Sequence, residues 1–256
     1  MISTMSGLRS NEKLKRALAV LFALCVWQAA AMLLGEPLLL ASPVQVAGRL
    51  VSLILTASFW KTVGYTALRI VSGFLMGFLA GIVLAVLAGR FKWLEILLWP
   101  FVVTIKSIPV ASFVILVLIW LSSRHLSVFI SFLMVFPVIY LNTLQGLKAT
   151  DSKMLEMAKM YRLPFARRLK YIYVPQVQPF LYSACSIALG LSWKSGVAAE
   201  LIGRPDLSLG DMLYMAKVHM DTADVFAWTV VIILLSQLFE KLFLMLMKKG
   251  FDGVMK

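Results

Sequence analysis

The chain has 256 residues, 61% of them hydrophobic and only 14% charged, with a net charge of +13 at neutral pH. Average soluble chains carry about 25% charged residues, and a soluble domain of this size has too little core to hide so much apolar surface, so a bilayer is the natural solvent. The composition also argues against a disulfide or metal framework, because Cys25 and Cys185 stand far apart in apolar runs, and against nucleic acid, because the basic residues lie between apolar segments rather than in a stripe with interleaved aromatics.

A hydrocarbon core needs roughly 20 apolar residues in helical form. Six stretches meet that length: 17–34, 66–88, 93–121, 126–147, 180–202 and 225–247. The first follows a basic flank, but its apolar run is long for a signal peptide and Leu24 before Cys25 does not suit a lipoprotein cleavage site. It is read as a retained helix. Residues 43–60 are moderately apolar and carry Arg49, the pattern of an amphipathic helix on the outer surface. In the second span Gly73, Gly77 and Gly81 recur at every fourth residue and form one smooth face for close packing, within a subunit or between subunits. Arg69 and Lys241, nearer segment ends, are expected to snorkel.

The third span is long and contains Pro100 and Pro109, so a kink or break is predicted there. Lys106 lies near its mid-depth, where a cation costs about 2.5 kcal/mol or more unless it meets water or a partner. Between the fifth and sixth spans, residues 208–218 offer a second outer surface helix with Leu209, Met212, Leu213 and Met215 facing lipid or protein. Asp221 and Asp224 suit the first turn of the last helix, where carboxylates complement the dipole.

Lysine and arginine placement sets the expected orientation. With the amino terminus inside, one side holds Arg9, Lys13, Lys15, Arg16, Arg90, Lys92, Lys148, Lys153, Lys159, Arg162, Arg167, Arg168, Lys170, Lys248, Lys249 and Lys256. The other holds only Arg49, Lys61, Arg124, Arg204 and Lys217. The positive-inside bias therefore puts both termini in the cytoplasm.

Loops between membrane helices are usually short, so residues 148–175 need an explanation. Asp151 or Ser152 can cap a helix through Met154, Leu155, Ala158, Met160 and Tyr161. Leu163-Pro164 disfavours its continuation, and a second short helix over 165–171 precedes Val174-Pro175. Acidic residues here are only Asp151 and Glu156, so the hairpin is cationic. It can rest on anionic headgroups or dock another protein.

Glu156-Met157-Ala158, Arg162 and Ile172-Tyr173-Val174-Pro175 resemble the EAA motif of ATP-binding-cassette (ABC) importer permeases: E-A-A, three residues, G, nine residues, I-x-L-P. Glu156, Ala158, Ile172 and Pro175 fall in register, Val174 stands for leucine and Met157 for the first alanine. Arg162 stands where the family has glycine. An L-residue in the left-handed conformation costs about 1 kcal/mol or more, so Pro164, after Leu163, is expected to set the turn instead. Ile108-Pro109 with Ala111, Asn142-Thr143 with Gly146, and Trp193-Lys194 with Ala199-Glu200 resemble the third, fourth and fifth helices of the nitrate/sulfonate/taurine type.

The resemblance implies an all-α integral membrane fold of six transmembrane helices, similar to type I ABC importers, with residues 1–256 as one permease domain and 148–175 as its coupling segment. It implies a homodimer in the bacterial cytoplasmic membrane, two ABC ATPase subunits below and an extracytoplasmic solute-binding protein outside. Glu156, Met157, Ala158, Arg162, Leu163, Pro164, Ile172 and Pro175 would couple to the ATPase. The chain lacks a G-x-x-x-x-G-K-[ST] phosphate loop, so it is expected to bind no cofactor and to leave ATP to its partners. Lys106, Ser107, Pro109, Trp193, Lys194, Ser195 and Glu200 are candidates for the translocation path. There Lys106 and Lys194 either favour anions or serve structural pairing, and Glu200 could contact Arg204 or the outer gate. No catalytic or metal-ligating set stands out: His125 and His219 are isolated, which argues against a membrane enzyme. Expected cargo is a small anion such as sulfonate, taurine or nitrate. The alternatives are a vitamin precursor (a thiamine pyrimidine or riboflavin) in the same architecture, or a channel or secondary transporter working without ATP.

Overall fold

The computed structural model describes residues 3–36 and 38–255. Lys256, and the side chains of Arg9, Lys13 and Arg16 used in the orientation argument, lie outside that description. Among the described residues the chain is helical throughout: α1 (Ser3–Leu34), α2 (Pro43–Ile54), α3 (Ala57–Arg90), α4 (Lys92–Ser107), α5 (Val110–Leu118), α6 (Ser123–Lys148), α7 (Ser152–Met160), α8 (Phe165–Arg168), a π-helical turn (Leu169–Tyr173), α9 (Val174–Gly203), α10 (Leu209–Val218) and α11 (Thr222–Met255).

Among the described residues, four helices are long and apolar enough to cross a bilayer, within α1, α3, α6 and α11, and five spans result if the bent pair α4–α5 counts as one. The fifth expected stretch, 180–202, lies in α9, whose serines with Lys194 and Glu200 dilute its apolarity. It falls outside that group.

Several boundaries differ from the expectation. The span expected at 66–88 begins at Ala57, because Thr56 accepts the Phe59 N–H at 3.3 Å and starts the helix there. The expected surface helix is thereby shortened to α2, which opens with a capping box between Ser42 and Gln45 and Pro43 in its first turn. Pro100 does not break α4. The break falls at Ile108-Pro109, where Ile108 is extended (φ −78°, ψ 131°), as a residue before proline prefers. The bend between α4 and α5 is 106°.

The chain forms two compact units. In the first (Met1–Trp60 with Leu213–Val230), Val46 of α2 packs with Ala41 and Ala227, flanked by Trp27 and Phe226. Trp27 donates its indole N–H to the Ala41 carbonyl at 3.1 Å. Arg49 grips Asp224 through two hydrogen bonds, the second 2.9 Å long, and that bond holds the guanidinium above its ordinary pKa. Asp221 caps α11 by accepting the Asp224 N–H at 3.0 Å, so both acids sit in the first turn as their charges favour.

In the second unit (Lys61–Met212 with Val231–Lys256), α6 is the central post. Leu126, Ile130, Val135, Ile139 and Tyr140 on it are buried, and Ala184, Cys185, Ala188 and Leu189 of α9 face the same core. Phe74 of α3 meets Phe239 and Phe243 of α11 edge-on, at 5.6 and 4.8 Å between ring centroids. The glycine stripe of α3 packs on α6: a Cβ at Gly73 would lie 2.9 Å from Ser131 Cβ and overlap the Val128 carbonyl, and one at Gly77 would lie 2.9 Å from the Phe132 carbonyl. The stripe therefore serves packing within the chain.

Candidate functional site

The segment joining α6 to α9 is built as two helical pieces around one corner. Asp151 accepts the Lys153 N–H at 2.9 Å and caps α7. At the other end of α7 the Leu163 N–H reaches the Ala158 carbonyl at 2.9 Å and the Arg162 N–H reaches Lys159 at 3.0 Å. These are the paired bonds of a Schellman cap, and they require Arg162 to be left-handed, with φ 49°. The expectation that Pro164 would replace this corner is corrected. Pro164 (φ −63°, ψ 153°) only starts α8, and the two capping bonds offset the cost of a Cβ at Arg162. Arg162→Gly is expected to stabilise the corner by about 1 kcal/mol, read as a higher unfolding midpoint in detergent. Arg167→Gly, inside α8, should lose a similar amount.

The second short helix does not stop before Val174-Pro175 as the sequence implied. Residues 169–173 form a π-turn, the Val174 N–H bonds to the Leu169 carbonyl, and helix continues directly into α9. Pro175 has no N–H and its ring crowds the carbonyl four residues earlier, and the wider turn absorbs that conflict.

Burial divides the expected coupling residues. Ala158 and Ile172 are buried and anchor the hairpin. Glu156, Met157, Arg162 and Pro164 are exposed, with Leu163 and Pro175 half-buried. Beside Glu156 the hairpin shows water an apolar set rare on a free surface: Met157, Met160 (83% exposed), Tyr161 and Phe165. Phe165 appeared in the sequence only as a helix start. Exposed apolar anchors on a short helix, ringed by charge, are the chemistry of a helix laid into a groove.

The candidate path residues also separate. Lys106, Ser107 and Pro109, at the α4–α5 break, and Lys194 on α9 are exposed. Trp193, Ser195 and Glu200 are buried. Trp193 packs its ring 6.4 Å from Phe239, and Ser195 donates to the Leu191 carbonyl at 2.8 Å.

Glu200 does not take Arg204 as its side-chain partner, and Arg69 does not snorkel. Thr66 donates its hydroxyl to Glu200 Oε2 at 2.8 Å, the Gly210 N–H approaches the same oxygen at 3.4 Å, and Arg69 Nη1 stands 3.7 Å from Oε1. Leu209, expected to face lipid or protein, is buried and gives its N–H to Thr66 Oγ1 at 2.9 Å. Arg204 pairs with Asp211 at 3.0 Å instead. Sequence reading missed Thr66 and Arg69. The spacing held the clue, because Arg69 lies four residues before Gly73 on the inward stripe.

Comparison with known proteins identifies several relatives. A Bacillus subtilis (strain 168) protein named for aliphatic sulfonates transport, SsuC, is 26% identical over 212 residues, covering 82% of this chain and 76% of its own. The taurine transport system permease protein TauC of Escherichia coli (strain K12) is 26% identical over 220 residues, covering 84% and 80%. The formylaminopyrimidine transport permease protein ThiX of Halalkalibacterium halodurans is 27% identical over 223 residues, covering 86% and 87%. These relatives are transport permeases, not enzymes. Residues 73–249 match the family model described as binding-protein-dependent transport system inner membrane component. With its apolar helices and that match over most of its length, the chain belongs to this family of multi-pass ABC transporter permeases.

Proposed function

We propose that the chain is the permease subunit of an ATP-driven importer, pairing with a second copy of itself to enclose the path of a small solute. Two ATPase subunits dock on the 148–175 hairpin and hydrolyse ATP, and the chain itself binds no cofactor. A solute-binding protein delivers cargo at the opposite face. Both termini are cytoplasmic, α9 is counted as a sixth span, and the whole chain acts as one permease domain. The observation that carries this reading is the exposed corner, where Glu156 stands among Met157, Met160, Tyr161 and Phe165.

The test is reconstitution with a candidate ATPase and a candidate solute-binding protein. ATP-dependent solute accumulation in proteoliposomes is expected, and accumulation without ATP would favour the secondary-transporter alternative. The cargo is assigned to small anions such as sulfonates, taurine or nitrate, because Lys106 and Lys194 are exposed cations on helices that belong in the membrane. Neutralising both (Lys106→Gln with Lys194→Gln) is expected to slow uptake of an alkanesulfonate about tenfold while basal ATPase activity stays unchanged. Unchanged uptake would return the two lysines to structural roles. A second reading has its own support, since ThiX and the riboflavin transport permease RibX resemble the chain as closely, each at 27% identity. A vitamin precursor is then the cargo, and ligand screening of the binding protein decides between the two.

A further inference from the structure

Glu200 is fully buried at the end of α9 remote from the coupling hairpin, about 40 Å along the helix axis from Val174. Its surroundings are incompletely bonded. Glu200 Oε1 and Arg69 Nη1, 3.7 Å apart, form an ion pair, yet neither atom has a hydrogen-bond partner among the described residues. The buried Ser127 hydroxyl of α6 faces the same carboxylate without reaching full hydrogen-bond geometry. Buried charges are normally paired and fully hydrogen-bonded, and a cluster left short of that is one that a small displacement can rebond.

The adjoining turn stores strain. Arg204 (φ 48°) and Leu207 (φ 55°) are both left-handed without being glycine, a conformation that persists only where its surroundings impose it. Here those surroundings are Glu200 and Thr66: the Arg204 N–H bonds to the Glu200 carbonyl at 2.8 Å, and the N–H groups of Leu209 and Gly210 end on Thr66 and Glu200. A Cβ at Gly210 would overlap the Glu200 backbone, so the start of α10 lies directly on α9.

We infer that Glu200 is a positioning residue of the transport cycle. With Thr66 and Arg69 it pins the strained 204–210 turn to α3 and α9, and the pin releases when the ATPases close at the other end of α9. The inference rests on the docking reading above, because α9 runs without a break from the hairpin to Glu200.

Hydrogen exchange on the permease–ATPase complex tests it, comparing the nucleotide-free state with the complex trapped by ATP and vanadate. Amides of 204–212 are expected to be protected without nucleotide and to exchange about tenfold faster when trapped, with those of central α6 unchanged. Glu200→Gln should exchange fast in both states with the ATPase still bound, and Thr66→Ser, which keeps the hydroxyl, should behave as the native chain. Equal protection in the two states of the native complex overturns the inference, as does nucleotide dependence that survives in Glu200→Gln. If Glu200→Gln does not accumulate, Arg69→Lys provides the same comparison through the other half of the pair. Co-purification of the ATPase is read before exchange begins, so a failed docking reading is distinguished from a failed pin.

Discussion

Replacing Glu156 with lysine is expected to leave the protein inserted and folded but to abolish its co-purification with the ATPase. Glu156 is exposed on α7 and makes no cap: that role belongs to Asp151, whose carboxylate is occupied by the Lys153 N–H. It is therefore the uncommitted negative charge in a segment that is otherwise basic. A partner built for this hairpin must meet that carboxylate with a donor or cation, and reversing the charge sets like charges face to face, at a cost of several kcal/mol. About 4 kcal/mol lowers affinity roughly a thousandfold, enough to lose the complex on a column. Glu156→Gln should weaken binding less, because it keeps an acceptor. The assay is affinity purification of tagged permease from membranes with the ATPase followed by immunoblot. ATPase recovered in native amount with the lysine variant would refute docking at this corner.

Gly73→Ala should destabilise the permease severely, although alanine is the better helix former. The added methyl would overlap the Val128 carbonyl and press on Ser131 of α6. A backbone oxygen cannot rotate away, so the helices must separate. Overpacking costs about 1–3 kcal/mol, and a rigid obstacle argues for the upper end. Against a total stability of about 5–15 kcal/mol, that is a large share. Gly190 supplies the control: it is helical too, but a Cβ there meets nothing within 4 Å, so Gly190→Ala is expected to be neutral or to gain up to about 1 kcal/mol. Unfolding midpoints of the two variants in one detergent make the comparison. Equal midpoints would show that α3 and α6 do not pack through this stripe.

The elements were readable where a local rule decides them. Asp151 as cap, a break near Pro109, and the acids opening α11 all follow from backbone groups that need partners or are denied them. The places where expectation failed share a cause, which is that distant contacts settled the matter. Arg162 takes the left-handed corner because capping bonds from α7 outweigh its Cβ, and residue preference alone cannot weigh that. The short helix expected over 165–171 instead runs on past Pro175 by widening to a π-turn. Arg69 and Glu200 are far apart in sequence, and only the packing of α3 on α6 and α9 brings them together. Of the candidate site, the two-helix form of residues 148–175 was legible because its pattern is contiguous. The surroundings of the candidate path residues were not, since exposure separates Lys106 and Lys194 from Trp193 and Ser195 only once the helices are assembled.

The hairpin is attached to the membrane helices unequally. On the α6 side it hangs from a short non-helical link around Thr150, whereas on the α9 side helix runs from Phe165 to Gly203 without interruption. Mechanically this is a crank with one slack arm and one stiff shaft. If a partner pushes on the hairpin, the non-helical link is the part that yields on the α6 side. On the α9 side the same push would meet helix over roughly 58 Å, from Phe165 to Gly203. Pro179 inside α9 removes one backbone hydrogen bond from that shaft, and the shaft is widened at the turn beside Pro175. A residue deleted there would restore ordinary winding and stiffen the drive, and a residue added would give it play.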